Sequence, residues 1–410
     1  MISHLQTHRL WGLSAGIGYG AAAIAACRLP QRPARAASLV YALTGAVVIP
    51  LACLVLTGVQ QSEVGVIERS AVLMLHQRTP YVAHPHEVVD YNPYLPGMVL
   101  FGMPRALLGT DHWALRLLSD ARLWCAVVFL GCLQAGRRVL NTSGGARPGR
   151  DGRLPYGVAV AVLIASPPVA LSLCVSGVDL PLTGLCCLAL ACATRGRPVA
   201  TGLALAAACS LKWTAFPAVA VAVALLAWAH GGRVAVRCGV TTAAGTVLLI
   251  LPSVLLSPHA MVQQVLAFPT GLGSVATPAD SPLPGRLLAD LGPAGWSAAV
   301  GLLLLGALAV GASLFLRPPT GLVSAARRLA TGLCIGFLLA PAGRFGYLAL
   351  PIVLMVWARQ AAPERRSSAV RLDLFHVRPR ATSPHQGIPP VPDGAGATAA
   401  ISSRTGGGRR

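Results

Sequence analysis

Two carboxylates, Glu63 and Glu68 in "QQSEVGVIERSAVLMLHQRTPY", stand where an apolar run ends, and Ile67, Ala71 and Leu75 continue a helical stripe beyond them. Acids at such a junction are held near a membrane surface, where an unpaired charge is costly to bury; the plainer alternative is a solvated helix end, with Glu68 and Arg69 as surface charges. The single lysine, Lys212 in "AACSLKWTAFP", separates two apolar runs. Below a membrane surface its ammonium needs an anionic partner; otherwise it snorkels to the headgroups with Trp213 as an interface anchor. Arg344, in "LLAPAGRFGYLALP", sits between the last two apolar runs, where a guanidinium grips a phosphate bidentately or binds lipid headgroups. A later connection adds His259 in "LLSPHAMVQQ" and Arg286 in "SPLPGRLL"; a lone histidine of this kind is more often structural or solvated. His84, His86, Glu87 and Asp90 are metal-compatible in type but lack a third well-spaced ligand, so neither metal nor cofactor is expected.

The elements that must position these groups are membrane spans. Of the 410 residues 54% are hydrophobic and 11% charged, and the apolar runs approach or exceed the roughly 20 residues that cross a bilayer. They lie near 11–27, 38–59, 121–136, 155–173, 178–193, 199–211, 214–230, 238–256, 296–316, 325–341 and 345–358, about eleven spans in an all-α bundle. The first run follows "MISHLQTHRL" and precedes arginines, not a small-residue cleavage site, so no removable signal peptide is expected. The 11 cysteines fall within or beside these runs without paired CxxC spacing, as small apolar helix residues do.

A net charge of +20 would suggest nucleic acid for a soluble protein, but here it reports topology and no nucleic-acid partner is expected. The arginines gather in "CRLPQRPARAA", "GRRVLNTSGGARPGRDGR", "TRGRP", "GGRVAVR", "LRPP" with "AARR", and the segment after Trp357, which marks the cytoplasmic side of a multi-pass cell-membrane protein. Glu63, Glu68, Glu87, Asp90, Asp111, Asp120, Asp179, Asp280 and Asp290 fall in the opposite, external connections. An odd span number then puts the N-terminus outside. Two external connections, 60–120 and 257–295, are too long to be turns, and loops of that length are usually functional. The first contains "MVLFGMPRALLG", too short to span and interrupted by Pro104 and Arg105, which fits an interfacial or re-entrant segment. Residues 1–358 form the membrane domain; 359–410, rich in Arg, Pro, Gly, Ser and Thr, read as a disordered cytoplasmic tail able to touch anionic lipid.

An acid near the end of a span, then "ERSAVLML", "RTPY", "DYNPYLPGMVLFGMPRALLG", and later "LKWTAFP", "SPLPG" and "RFGYLALP" together resemble actinobacterial membrane proteins of glycosyltransferase family 87. That family belongs to the GT-C superfamily, alongside polyprenol-phosphate-mannose-dependent α-mannosyltransferases, and the similarity runs over most of residues 55–358. The resemblance implies a GT-C-type helix bundle with an external active site and an essential acid in the first long loop. The donor it implies is a polyprenyl-phosphate sugar, mannose above all, and the acceptor a glycan or glycolipid hydroxyl. An inverting transfer of this kind needs a carboxylate to deprotonate the acceptor and cations to stabilise the departing lipid phosphate. The family acid is usually an aspartate; here Glu63 and Glu68 are nearest, with Glu63 favoured because it precedes the apolar stripe, and Asp90 in support. Lys212, Arg344 and Arg286 are the expected phosphate ligands. Tyr91, Asn92 and Tyr94 suit the border of a sugar or headgroup site, or else a rigid turn, and His259 stands as a further candidate. A transporter or an inactive membrane protein is the alternative; a transporter more often shows two related halves with broken helices near mid-membrane, and no internal repeat is evident.

Overall fold

Every apolar run of the sequence falls on helix. The computed structural model describes residues 5–141, 154–273, 275 and 277–362, all within one compact unit, Met1–Pro363. Helices α1 (Gln6–Arg28), α2 (Gln31–Leu56), α3 (Ser62–Gln77) and α4 (Ala121–Asn141) are followed by a pair, α5 (Tyr156–Ala165) and α6 (Pro167–Val175), bent by 67°. Then come α7 (Leu180–Thr194), α8 (Pro198–Leu211), α9 (Trp213–His230), α10 (Gly232–Leu256), α11 (Pro293–Leu316), α12 (Leu322–Leu339) and α13 (Phe345–Ala361). Seven of these are long and apolar enough to cross a membrane, or eight counting the bent pair as one, while α7, α8 and α13 are shorter. The protein is thus an all-α polytopic bundle; among the described residues the β-structure is a single isolated bridge between Asp280 and Gly343. The expected tail lies, from residue 363 on, outside the described residues, and Arg359 belongs to the last turn of α13.

The bundle is built around α7. Its sequence is apolar all round, as a helix buried on every side must be, and 12 of its 15 residues are buried against α4, α8 and α9. Lipid tails are as apolar as leucine, so what holds these helices together is close packing of small residues. Gly184 of α7 fits this: a Cβ there would lie 3.0 Å from the Phe129 backbone of α4. By contrast α11 buries only Ala299 and Leu314 and otherwise faces outward. In α2 the π-helical turn Thr44–Val48 frees carbonyls from the helical ladder, and α1 satisfies them: Trp11 Nε1 donates to Ala46 O at 2.9 Å and Ser14 Oγ to Gly45 O at 2.7 Å.

The two long connections fold as well. After α3, residues 88–119 form the short helical turns Val88–Asp90, Pro96–Phe101, Met103–Leu108 and Trp113–Ser119. The segment "MVLFGMPRALLG" does not span: Pro104 at the start of a helix divides it into two turns, and Met98, Val99 and Phe101 are buried beside α3 and α8. The second connection carries the π-helical turn Val262–Ala267 and the helix Pro284–Ala289. The two are sewn together by Gln264, fully buried, which accepts from Asn92 N and donates to Val82 O.

Candidate active site

A cavity of about 410 Å³ opens at one end of the bundle where α3, the connection around Tyr91–Tyr94, the α8–α9 junction and the α12–α13 junction converge. Its polar end carries Glu63, Tyr94, Lys212, Arg344 and Tyr347; its apolar wall comes from Leu303, Leu304 and Ala307 of α11 with Gly332, Ile335 and Gly336 of α12. Glu63 sits in the first turn of α3, where a carboxylate complements the partial positive charge of the helix N-terminus. Lys212 is placed by the end of α8: this 14-residue helix is only about 21 Å long at 1.5 Å per residue, and Lys212 closes it in an extended conformation before the chain turns into α9. Arg344 leads into α13 from a segment clamped to the second connection, Gly343 N donating to Ala279 O and Ser281 N to Gly343 O.

Two ion pairs occupy the polar end. Arg344 Nη1 lies 2.6 Å from Glu63 Oε1, and Ser176 Oγ donates to the other carboxylate oxygen at 2.6 Å. Lys212 Nζ donates to Asp179 Oδ1 at 2.8 Å and lies 4.5 Å and 5.5 Å from the ring centres of Tyr347 and Tyr94, close enough for cation–π attraction. Burial alone would pull the Lys212 ammonium down; Asp179 and Tyr347 outweigh it and hold the group above its ordinary value. Arg344 is likewise disfavoured by burial and raised on balance by Glu63. Each cation therefore stays charged in a site where water is scarce. An arriving anion finds two preorganised positive groups whose present partners are carboxylates, and a hydroxyl arriving beside Glu63 finds a proton acceptor.

The other candidates divide by location. Tyr91 lines the cavity and stacks on Phe268 with ring centres 4.4 Å apart. Glu68 points away from it: Arg105 Nε lies 3.1 Å from Glu68 Oε1, Gln60 Nε2 donates to Oε2 at 3.2 Å, and Arg105 reaches on toward buried Asp120, which pairs with buried Arg122 at 2.8 Å. Helical geometry explains this, since positions 63 and 68 are about 140° apart around α3. Asp90 lines a separate cleft of about 310 Å³ with Arg69 and Ser70; its carboxylate accepts from Glu87 N and His86 N, which hold it below its ordinary value. Asn92 is buried and turns the loop, its side chain donating to Pro80 O and accepting from Tyr94 N. His259 is exposed in the short helix Pro258–Met261. Arg286 pairs with Asp290 on its own helical segment. None of Glu68, Asp90, Asn92, His259 and Arg286 lines the cavity. Asp179, Ser176, Tyr347 and Phe268 escape a reading of the sequence. Asp179 had a usable signal: a buried lysine requires an acid, and Asp179 is the acid at the start of the neighbouring apolar run.

Fold and cavity define a multi-pass membrane protein with a charged site at the mouth of an apolar groove. The glycosyltransferase family 87 model matches residues 92–341, more than half of the chain, and the protein belongs to that family. It is a membrane glycosyltransferase, acting on a sugar donor and an acceptor. No curated protein and no solved structure matches the chain. The match includes Lys212 and Asp179, whereas Arg344 lies just beyond its end and Glu63 well before its start.

Proposed function

We propose that the protein transfers a hexose, mannose in the first instance, from a polyprenyl-phosphate donor to a hydroxyl of a glycan or glycolipid acceptor, with inversion. One observation carries this reading: a single cavity joins an acid and two cations at one end to an apolar wall of membrane helices at the other. A polyprenyl-phosphate sugar has the same division, with a charged phosphoryl-sugar head and a long hydrocarbon tail.

In the transfer, the acceptor oxygen attacks the anomeric carbon from the face opposite the phosphate as the bond from that carbon to the phosphate oxygen breaks. Glu63 takes the acceptor proton, and the polyprenyl phosphate leaves with the bonding electron pair. Lys212 and Arg344 stabilise the charge that grows on the leaving oxygen. Arg344 is held by Glu63; a phosphate competes for the guanidinium and frees the carboxylate to act as base, so that donor binding prepares the proton acceptor. Tyr91 and Tyr94 border the sugar. No metal is required by this chemistry.

The site lies on the external side of the cell membrane in this reading. It is supported by the arginines at the other end of the bundle, where Arg137 of α4 donates to Ala361 O at the end of α13; the C-terminal tail then leaves on the cytoplasmic side. The test is to incubate the purified protein in nanodiscs with polyprenyl-phosphate mannose, and separately with other lipid-linked hexoses and pentoses, and to follow donor consumption and binding. Consumption of one donor is the expected result; neither turnover nor binding with any of them overturns the proposal.

A further inference from the structure

The groups assigned to base and phosphate come from distant parts of the sequence, yet one four-residue turn touches both. Between α6 and α7 the chain runs Ser176, Gly177, Val178, Asp179. Ser176 Oγ donates to Glu63 Oε2 at 2.6 Å, and three residues on Asp179 Oδ1 accepts from Lys212 Nζ at 2.8 Å. The turn depends on Gly177, whose φ of 70° lies in the left-handed region that favours glycine; Gly177 and Val178 are buried while Ser176 and Asp179 remain partly accessible. On the α7 side, Thr183 Oγ1 donates to Asp179 O at 2.8 Å.

The turn is fixed from beneath. Arg122, fully buried and paired with Asp120, donates through Nη1 to Cys174 O at 3.0 Å and to Val59 O at 3.3 Å. Gln61 N donates to Val175 O at 3.4 Å. One buried guanidinium therefore ties the entry to α3, which presents Glu63, to the entry to the turn, which holds Glu63 and Lys212.

We propose that the Ser176–Asp179 turn is a single positioning element for both halves of the transfer, Ser176 orienting the Glu63 carboxylate and Asp179 keeping the Lys212 ammonium in place for the donor phosphate. This rests on the roles given to Glu63 and Lys212 above. Ser176 and Asp179 are positioning residues: they act through Glu63 and Lys212. Their separate partners give them separate kinetic signatures. A misdirected base slows the chemical step, and a misplaced ammonium weakens donor binding.

The experiment measures kcat and donor KM with polyprenyl-phosphate mannose, or whichever lipid-linked sugar the wild type consumes, for variants in nanodiscs. Ser176→Ala is expected to lower kcat about tenfold at little-changed donor KM, with Ser176→Thr restoring it, because a lost hydrogen bond to a charged group is worth roughly a factor of ten or more. Asp179→Asn is expected to raise donor KM about tenfold with a smaller change in kcat, with Asp179→Glu restoring much of the affinity, for the same loss of a charged partner. Equilibrium binding of polyprenyl phosphate without a sugar should weaken for Asp179→Asn and hold for Ser176→Ala. Gly177→Ala strains the turn and alters neither side chain, and both kinetic parameters should worsen together; it also serves if either side-chain variant fails to fold. Wild-type turnover with unchanged parameters in all these variants, or kcat and KM moving alike in Ser176→Ala and Asp179→Asn, overturns the inference and leaves the transferase reading standing. A wild type that neither consumes nor binds any polyprenyl-phosphate compound overturns the parent reading and this inference with it.

Discussion

Two glutamates on one short helix, five positions apart, end in different surroundings. Glu63 faces a cavity with Arg344 and Ser176 as partners, and Glu68 faces Arg105 and Gln60 on the far side of α3. Glu63→Gln keeps shape and removes the proposed proton acceptor; general-base contributions put the expected loss in kcat at about 10²–10⁴-fold, with normal insertion and some loss of thermal stability, because Arg344 loses its carboxylate partner. Glu68→Gln should spare the chemical step and only lower stability, by about 2 kcal/mol, because it breaks a nearly buried charged contact and leaves Arg105 with the more distant Asp120 alone. Parallel turnover and thermal-unfolding measurements separate the two, and equal activity losses would contradict the assignment. Asp90 permits a prediction in pH. Its carboxyl is held below its ordinary value of 3.8 by the backbone N–H of Glu87 and then of His86. A depressed carboxyl contributes stability that is complete above the unfolded value and is lost as pH falls through the folded one. The turn around residues 86–90 should therefore be insensitive near neutrality and open to pepsin only as the pH drops below about 3.8, with Asp90→Asn flattening that dependence.

At the scale of elements, what the sequence makes legible is set by contrast. In an apolar chain a charged side chain stands out, so Glu63, Lys212 and Arg344 draw attention by charge alone; the pairing partners do not, because Ser176 carries no charge and Asp179 is one of many external acids. Apolar runs mark where helices lie but not how a run bends, and the break between α5 and α6 rests on Pro167 and Pro168 within an otherwise continuous apolar stretch. Polar identity alone misleads in the first long loop: Asn92 is polar because a buried turn needs its hydrogen bonds, and the π-helical register that brings Gln264 to it leaves no periodic trace. The loop's glycines are packing sites. A Cβ at Gly102 would collide with the backbone carbonyl of Ile67 in α3, and one at Gly97 with the Ser210 hydroxyl of α8. Gly102→Ala should push the Pro96–Leu108 segment off α3, cost about 1–3 kcal/mol, and reduce turnover through Glu63 although position 102 is remote from the cavity. Unchanged melting temperature and activity in that variant would show that the segment adapts freely.

Across the whole molecule, the cavity combines two solvents. Its charged end is built from loops and helix ends, and its apolar wall from α11 and α12, helices whose outer faces look away from the protein core. Those helices pack closely through their glycines, Gly306 against Ile335 and Gly332 against Val310, while Ala307 presents only a methyl group to the cavity. If a polyprenyl tail lies along this wall, an indole at position 307 should obstruct the tail and leave the charged end untouched. Ala307→Trp is therefore expected to raise KM for a long-chain polyprenyl-phosphate sugar by at least about tenfold, the loss of roughly two buried methylene contacts, with kcat little changed. A short-chain prenyl-phosphate donor, too short to reach α11, should be used equally well by variant and wild type. Equal losses with both donors would mean that the substitution distorts Glu63, Lys212 and Arg344 themselves, and no loss with either would remove this wall from the donor's path.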